Sequence, residues 1–438
     1  MNTEAIQRSV AEAAQLLGAE GYEIIITSTE SAGAEALKDE ISSVSYSLSG
    51  SMQVRCVKDG KSGYASSDLV TPEAAAQLCE QACASAGILD DPDEVPLFAG
   101  SPCYETVSEP VPPLMETAEM KAHTLSLQRK TYAASPKIVE GTQCFTNGLR
   151  LTQTLLNSAG LDLSYVCGLN YHGVAAAVKD GEEAAEEYRI ADVEKESQEE
   201  SVRKAVEGAL RKLGAESVDS GKYPVIFNAD TVRSLLATYA PVFSARSAYQ
   251  KTTLLAGREG ELVGSPQLTL VDDPFYPEKF GHCPFDGEGV AVYTKKIIEN
   301  GRLNTLLYNR MYAKLMGKQT TGNARDAKSI EPKGLYVAAG ALSKEALLAH
   351  MGTGLYITEL NGLHAGANIQ SGDFSLQAEG FWVENGKKIR PVKNITVSDN
   401  FFQLLQKVEA LSDRVEFSLT SDFGAPDVLF TEMAVAGK

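Results

Sequence analysis

Two short stretches carry the residue types of metal or acid–base chemistry. GHCPFDGEG, residues 281–289, gathers His282, Cys283, Asp286 and Glu288, which are ligand types for a borderline divalent metal. HMGTGLYITELNGLH, residues 350–364, sets Glu359 between His350 and His364. A helical zinc site needs two histidines at i, i+4, and none of the five (His123, His172, His282, His350, His364) has such a neighbour. LYITEL alternates apolar and polar residues as a strand does, so the second stretch reads as backbone architecture. In the first stretch, Asp286 and Glu288 read as turn formers bonding nearby amides, which leaves His282 and Cys283 as weak metal candidates. TTGNARD, residues 320–326, could offer amides to an anion but lacks the length and lysine of a phosphate loop. The seven cysteines contain no C-x-x-C pair; Cys79 and Cys83, one helical turn apart on an Ala-rich segment, read as core packing.

The elements that must position these residues follow from length and pattern. A chain of 438 residues exceeds the roughly 250–300 that one core supports. Its formal charge of −18 repels phosphate backbones, which argues against direct nucleic-acid binding. No apolar run reaches the ~18 residues of a membrane span, and the first residues show helical periodicity without a leader pattern, so the cytoplasm is the expected location. A first helix stops at Gly18, and YEIIITST follows as a strand. ISSVSYSLS and MQVRCV read as two antiparallel strands ending at Asp59-Gly60, and Thr71-Pro72-Glu73 opens a helix. A Pro/Asp-rich linker runs from 89 to 113, after which hairpins are expected at Asn147-Gly148 and Asp180-Gly181. Beyond Tyr223 a helix capped by Asp230 leads into short strands, with turns at Asn300-Gly301 and Asn385-Gly386. The expected fold is α+β. A mixed α/β region with antiparallel sheets and flanking helices spans 1–216, as units 1–88 and 114–216, and a β-rich, barrel-like domain spans 217–438.

Several ordered motifs then carry a resemblance: PFDGEGV (284–290), IIENGRL (297–303), TTGNA (320–324), MGTGLYITELNG (351–362), SGDFS (371–375), GFWVENG (380–386) and the terminal AVAGK, with LNSAG (156–160) agreeing more loosely. In these the chain resembles the TldD/PmbA family, proteins described as modulators of DNA gyrase and as a metallopeptidase system. The resemblance implies two pairing types. The TldD type holds a zinc-like ion through a helix bearing His-Glu, three residues, then His, plus a cysteine near the C-terminus. The PmbA, or TldE, type is its companion. Here the corresponding region, YAPVFSARSAYQKTTLLAGRE, has no histidine and no acid before Glu259, and no cysteine follows Cys283. The wording is that of the PmbA type, which implies no catalytic residue and no cofactor in this chain, the metal belonging to a TldD-type partner. The resemblance further implies a dimer, with that partner or with a second copy, around a cavity that takes unfolded protein or peptide. Channel-lining candidates are Thr321, Gly322, Asn323, Thr353, Gly354, Glu359, Asp373 and Glu379. Two alternatives remain open: an active homodimeric peptidase with rearranged ligands drawing on His282 and Cys283, and a non-proteolytic binding protein that modulates gyrase.

Overall fold

The structure, a computed structural model, describes residues 2–88, 95–107, 110–419 and 421–438; part of the expected linker at 89–113 lies outside them. The N-terminal elements are α1 (Thr3–Leu17), β1 (Gly21–Leu37), β2 (Glu40–Lys58), β3 (Lys61–Ser67), α2 (Pro72–Ala86), α3 (Thr117–Ala134), β4 (Gln143–Asn157), β5 (Asp162–Asp180), β6 (Glu183–Asp192) and α4 (Gln198–Lys212). All six strands form one antiparallel sheet in the order β3-β2-β1-β4-β5-β6. Its centre is the β1–β4 pair, which runs the whole length of β4.

Strand alternation decides what covers each face. On one face, Ile24, Ile26, Met52, Val54 and Cys56 pack under α1 and α2, while Cys144, Val174, Ala176 and Val178 pack under α3 and α4. On the other, Ile25, Leu155, Tyr165 and Cys167 meet Phe280, Cys283 and Phe285 of the C-terminal half.

The C-terminal elements are β7 (Gly221–Phe227), α5 (Ala229–Tyr239), α6 (Ala245–Tyr249), β8 (Leu270–Asp272), β9 (Lys295–Glu299), β10 (Arg302–Leu303), α7 (Arg310–Leu315), β11 (Leu335–Val337) and α8 (Lys344–Met351). They continue with β12 (Gly354–Asn361), α9 (Leu363–Gly366), β13 (Asp373–Glu384), β14 (Lys387–Asn400), α10 (Phe401–Leu404), β15 (Val408–Leu411), β16 (Glu416–Phe417), β17 (Phe423–Ala425) and β18 (Val428–Ala436). Strands β14-β13-β12-β7-β18 follow one another, and β14 pairs again with β18, which closes a five-stranded barrel with β15 appended. β13 shows why: its burial alternates strictly at Phe374, Leu376 and Ala378, all of which belong to the main core. A second sheet, β10-β9-β8-β11-β17-β16, shares that core. Tyr239 of α5 stacks on Phe401 at 4.3 Å between centroids, fixing the helix against the barrel end. Among the described residues no helix is long and apolar enough to cross a membrane.

Three local expectations are corrected. ISSVSYSLS and MQVRCV are one continuous 19-residue strand, because β1 pairs with it along its whole length, with a single bulge near Glu35. Asn147-Gly148 sits inside β4, where Asn147 faces Gly33 on one side and Tyr171 on the other; pairing on both edges outweighs the turn preference of the dipeptide. The cap of α5 is Asn228, whose side chain accepts from the Thr231 amide, with Asp230 in the first turn. The α+β class and the barrel-like C-terminal domain are as expected.

Truncation inside the barrel should be far costlier than at an exposed position of the N-terminal sheet. Phe227→Ala, at a fully buried position, is expected to lose about 3–5 kcal/mol in denaturant unfolding, whereas Leu48→Ala, 69 % exposed, should change stability by less than about 0.5 kcal/mol.

Candidate functional site

The site is built by two C-terminal segments stitched to each other and pressed on the helix-free face of the N-terminal sheet. Asp286 is the stitch: Oδ1 accepts from the Glu288 and Val290 amides at 2.9 and 3.0 Å, and Oδ2 accepts from the Ala324 amide at 2.8 Å. The Gly287 amide donates to the Ala324 carbonyl at 2.8 Å, and a Cβ on Gly287 would lie 2.0 Å from the Arg325 carbonyl oxygen. No other residue fits there. Behind them, fully buried Asp272 accepts from Lys295 Nζ at 3.0 Å and from Asn323 Nδ2 at 2.8 Å, as well as from the Lys333 and Gly334 amides.

The described part of the linker runs along the seam. Tyr104 donates to the Gly289 carbonyl at 2.7 Å, Ser101 accepts from the Ala291 amide at 2.9 Å, and Asn157 of β4 donates to the Phe98 carbonyl at 2.7 Å. Arg310 donates to the Pro96 carbonyl at 2.8 Å and lies over the Phe98 ring, and Arg55 of β2 donates to the Val95 carbonyl at 2.8 Å.

Between sheet and loops lies a cavity of about 350 Å³, lined by Glu23, Gln53, Arg55 and Tyr64 on the sheet side and by Gly287, Lys328 and Ser329 opposite. A second, of about 270 Å³, opens between Tyr165 and Cys167 of β5 and the Cys283, Asp286, Arg325 and Lys333 side. The charges around the first cavity are perturbed by burial. Burial raises the Glu23 carboxyl despite Arg55 and Asn157. Glu288, 4 % exposed, is pushed up to about 8 by burial and by the neighbouring Asp286 charge; its Oε2 accepts from the Arg310 amide at 2.9 Å, and its Oε1 finds no partner among the described residues. Burial also raises Asp286, but three amide donors and Lys333 oppose it. The arrangement can hold a polar group through carboxylic acid, guanidinium and hydroxyl hydrogen bonds.

The residues singled out from sequence fall in separate places. Thr321 and Asn323 are buried in the stitch, where Thr321 Oγ1 accepts from the Tyr308 amide at 2.7 Å, and Gly322, at φ +68°, abuts the Ala291 carbonyl. Thr353 immediately precedes β12 and Gly354 begins it, against the Pro224 carbonyl of β7. Glu359 and Glu379 face each other across β12 and β13, and Lys212 of α4 reaches Glu359 at 3.3 Å; burial and Glu359 raise the Glu379 carboxyl. Asp373 begins β13, is held by Asn400 Nδ2 at 2.8 Å, and sits below the usual carboxylate range for that reason. His350 lies at the end of α8, 3.1 Å from Glu409, and His364 lies in α9 beyond the other end of β12.

At 281–289 the two weak metal candidates are engaged with backbone carbonyls. His282 Nε2 lies 3.0 Å from the Tyr276 carbonyl, the Cys283 thiol donates to the Phe285 carbonyl at 3.1 Å and is raised to about 11 by burial, and among the described residues no third ligand joins them. What sequence reasoning missed is the charged lining from the sheet. Its signal was the single charge within each otherwise uncharged strand stretch, Glu23 in YEIIITST and Arg55 in MQVRCV.

Glu288 should couple stability to pH. Its folded-state value lies above the ordinary 4.5, so the unfolded chain releases this proton first and stability falls as pH rises from about 4.5 to about 8. Glu288→Gln is expected to remove a slope of up to about 1.4 kcal/mol per pH unit in that window, read from denaturation midpoints at several pH values.

Comparison with known proteins agrees with this architecture. Residues 220–437 match the model of the PmbA/TldA metallopeptidase C-terminal domain, and residues 22–86 match that of PmbA/TldA metallopeptidase domain 1. The metalloprotease PmbA homologue of Haemophilus influenzae is 28 % identical over 430 residues, covering 95 % of this chain and 92 % of its own. Metalloprotease PmbA of Escherichia coli O157:H7 is 31 % identical over 229 residues, 52 % of this chain and 49 % of that one. Among solved structures, a Thermotoga maritima protein described as a modulator of a DNA gyrase aligns over 100 % of both chains with a TM-score of 0.90 at 28 % identity. TldE from Thermococcus kodakarensis aligns over 99 % of this chain and 100 % of its own with a TM-score of 0.86 at 23 % identity, a likeness of fold. The two domain models, the near full-length relative and the barrel joined to its stitched loops lead to one conclusion: this chain belongs to the PmbA/TldD metallopeptidase family.

Proposed function

We propose that this chain is a PmbA-type subunit that carries no catalytic metal, pairs with a TldD-type peptidase and helps hold an unfolded protein or peptide substrate. The observation that carries the reading is the segment 239–259. From Tyr239 to Arg258 it contains neither histidine nor acid, and it folds as a turn of tight helix followed by the short α6, whose Ala245 and Ala248 are buried. Glu259, the first acid, is already engaged: it accepts from the Tyr308 hydroxyl at 2.9 Å, from the Leu306 amide at 3.1 Å and from Lys318. Burial would raise its carboxyl, but these donors hold it below the usual range, so it stays a spent anion. A general base for metal-bound water needs a free lone pair beside the ion.

The substrate role falls to the barrel strands in this reading. Thr353 precedes β12, Gly354 and Glu359 lie on it and Glu379 lies on β13; beyond Ile357, where the pairing with β7 ends, β12 offers backbone groups and the facing carboxylates to an extended peptide. Thr321, Gly322 and Asn323, buried in the stitch, act as supports. The dimer cavity, the cytoplasmic location and the zinc-like ion in the partner belong to the same proposal.

The test combines elemental analysis of the purified chain with cleavage of an unfolded peptide, with and without a TldD-type partner. No stoichiometric zinc or other divalent catalytic metal in the chain, and cleavage only in the mixture, are expected. A chain that alone binds one metal at 281–289 and cleaves would overturn the reading, as would a mixture whose cleavage is unchanged when this chain is left out.

A further inference from the structure

Three thiols converge on the face of the sheet opposite the first cavity. Cys79 and Cys83 lie one turn apart on the buried face of α2, and Cys56 of β2 points up between them. Their Sγ atoms all lie within 4.8 Å of one another, Cys56 and Cys79 at 3.3 Å, and the three residues are 0, 0 and 5 % exposed. Both supporting elements are rigid. Thr71 caps α2, and the helix is pressed so closely on β3 that a Cβ on Gly63 would stand 1.9 Å from the Ala82 carbonyl oxygen. The sulfur spacing is therefore set by the backbone, with no long side chain to relax it. Above the trio, the Cys79 thiol reaches the Val10 carbonyl of α1 at 3.7 Å, so α1 is the cover.

The geometry selects among metals. Metal–sulfur bonds of about 2.3 Å place three sulfurs about 4 Å apart around one ion, a spacing this set contains with sub-ångström adjustment. Among the described residues no histidine nitrogen or carboxylate oxygen joins the three sulfurs, and the surroundings are Ile6, Val10, Met52 and Ala82 of one apolar core. Closed zinc sites take four ligands, whereas soft thiolates alone suit copper(I), which accepts three. We propose that Cys56, Cys79 and Cys83 form a buried three-sulfur site for copper(I). Binding releases protons from the ligating thiols to solvent, and because α1 covers the site, loading occurs most readily while the chain folds. The inference is independent of the proposed subunit role, and neither depends on the other.

The experiment is anaerobic refolding of the full chain with copper(I), followed by challenge with a chromophoric copper(I) chelator. The expected result is one copper retained per chain, with a sulfur-to-copper charge-transfer band and a raised melting temperature. Retention should persist in Cys103→Ala, which alters an exposed thiol, and disappear in Cys83→Ala and Cys83→Ser. No copper retained by the wild-type chain, or undiminished retention in a folded Cys83 variant, overturns the proposal. Should both Cys83 variants fail to fold, X-ray absorption on the wild-type chain decides: three sulfurs around one copper support the site, and fewer sulfurs or nitrogen and oxygen donors overturn it.

Discussion

A broad antiparallel sheet has two faces, and the rest of this molecule follows from covering both. Four helices take one face, through Ile24, Met52 and Val54 at one end and Cys144, Val174 and Val178 at the other. The opposite face cannot be covered by the sheet's own helices. Instead Ile25, Leu155 and Tyr165 receive Phe280, Cys283 and Phe285 from a loop of the barrel domain. That contact brings the segments at 284–292 and 321–325 against a sheet remote in sequence, and the cavities are what the two surfaces leave unfilled. Burial of this apolar seam is also what desolvates Glu23 and Glu288.

Within the seam, two acids two positions apart are both raised by burial but are bonded differently. Asp286 is surrounded by amide donors and ties one loop to the next; Glu288 has a single amide donor and, among the described residues, an oxygen without a partner, and it is pushed up to about 8. Several motifs that carry the family likeness turn out to be reciprocal stitches of this kind. PFDGEGV and TTGNA bond to each other, and the Gly of TGLYITEL is required where β12 meets β7. A family likeness built on such motifs speaks first of a shared scaffold.

Local structure was legible in the sequence wherever short-range chemistry decides it. The Thr71-Pro72 start of α2, the Gly18 stop of α1 and the turns at Asp59-Gly60, Asp180-Gly181, Asn300-Gly301 and Asn385-Gly386 all stand where their dihedral preferences put them. Where partners are remote, pattern was silent or misleading. β2 read as two strands because Ser49-Gly50-Ser51 weakens its alternation, and only the length of β1 shows it to be one. Asn147-Gly148 obeys two neighbours that no local window contains. The charged lining of the site was missed for the same reason: Glu23 and Arg55 acquire meaning only when the barrel domain arrives. Cys56 meets Cys79 and Cys83 across a strand-to-helix contact, so the i, i+4 pair alone gave the packing reading and no more.

The closure of the barrel has a temporal consequence. β7 is the first strand of the C-terminal half to leave the ribosome, and its antiparallel neighbour, β18, is the last. Until β18 has been made, β7 and β14 each present an unpaired edge, with Val225, Phe227 and Val397 facing an unfinished interior. The N-terminal sheet, by contrast, is complete once β6 has emerged and can fold during synthesis. Biosynthesis therefore passes through an interval in which a folded amino-terminal half trails a sticky, open barrel. That interval is when the nascent chain most needs a chaperone, and premature termination near the 3′ end of the message would leave a product locked in it.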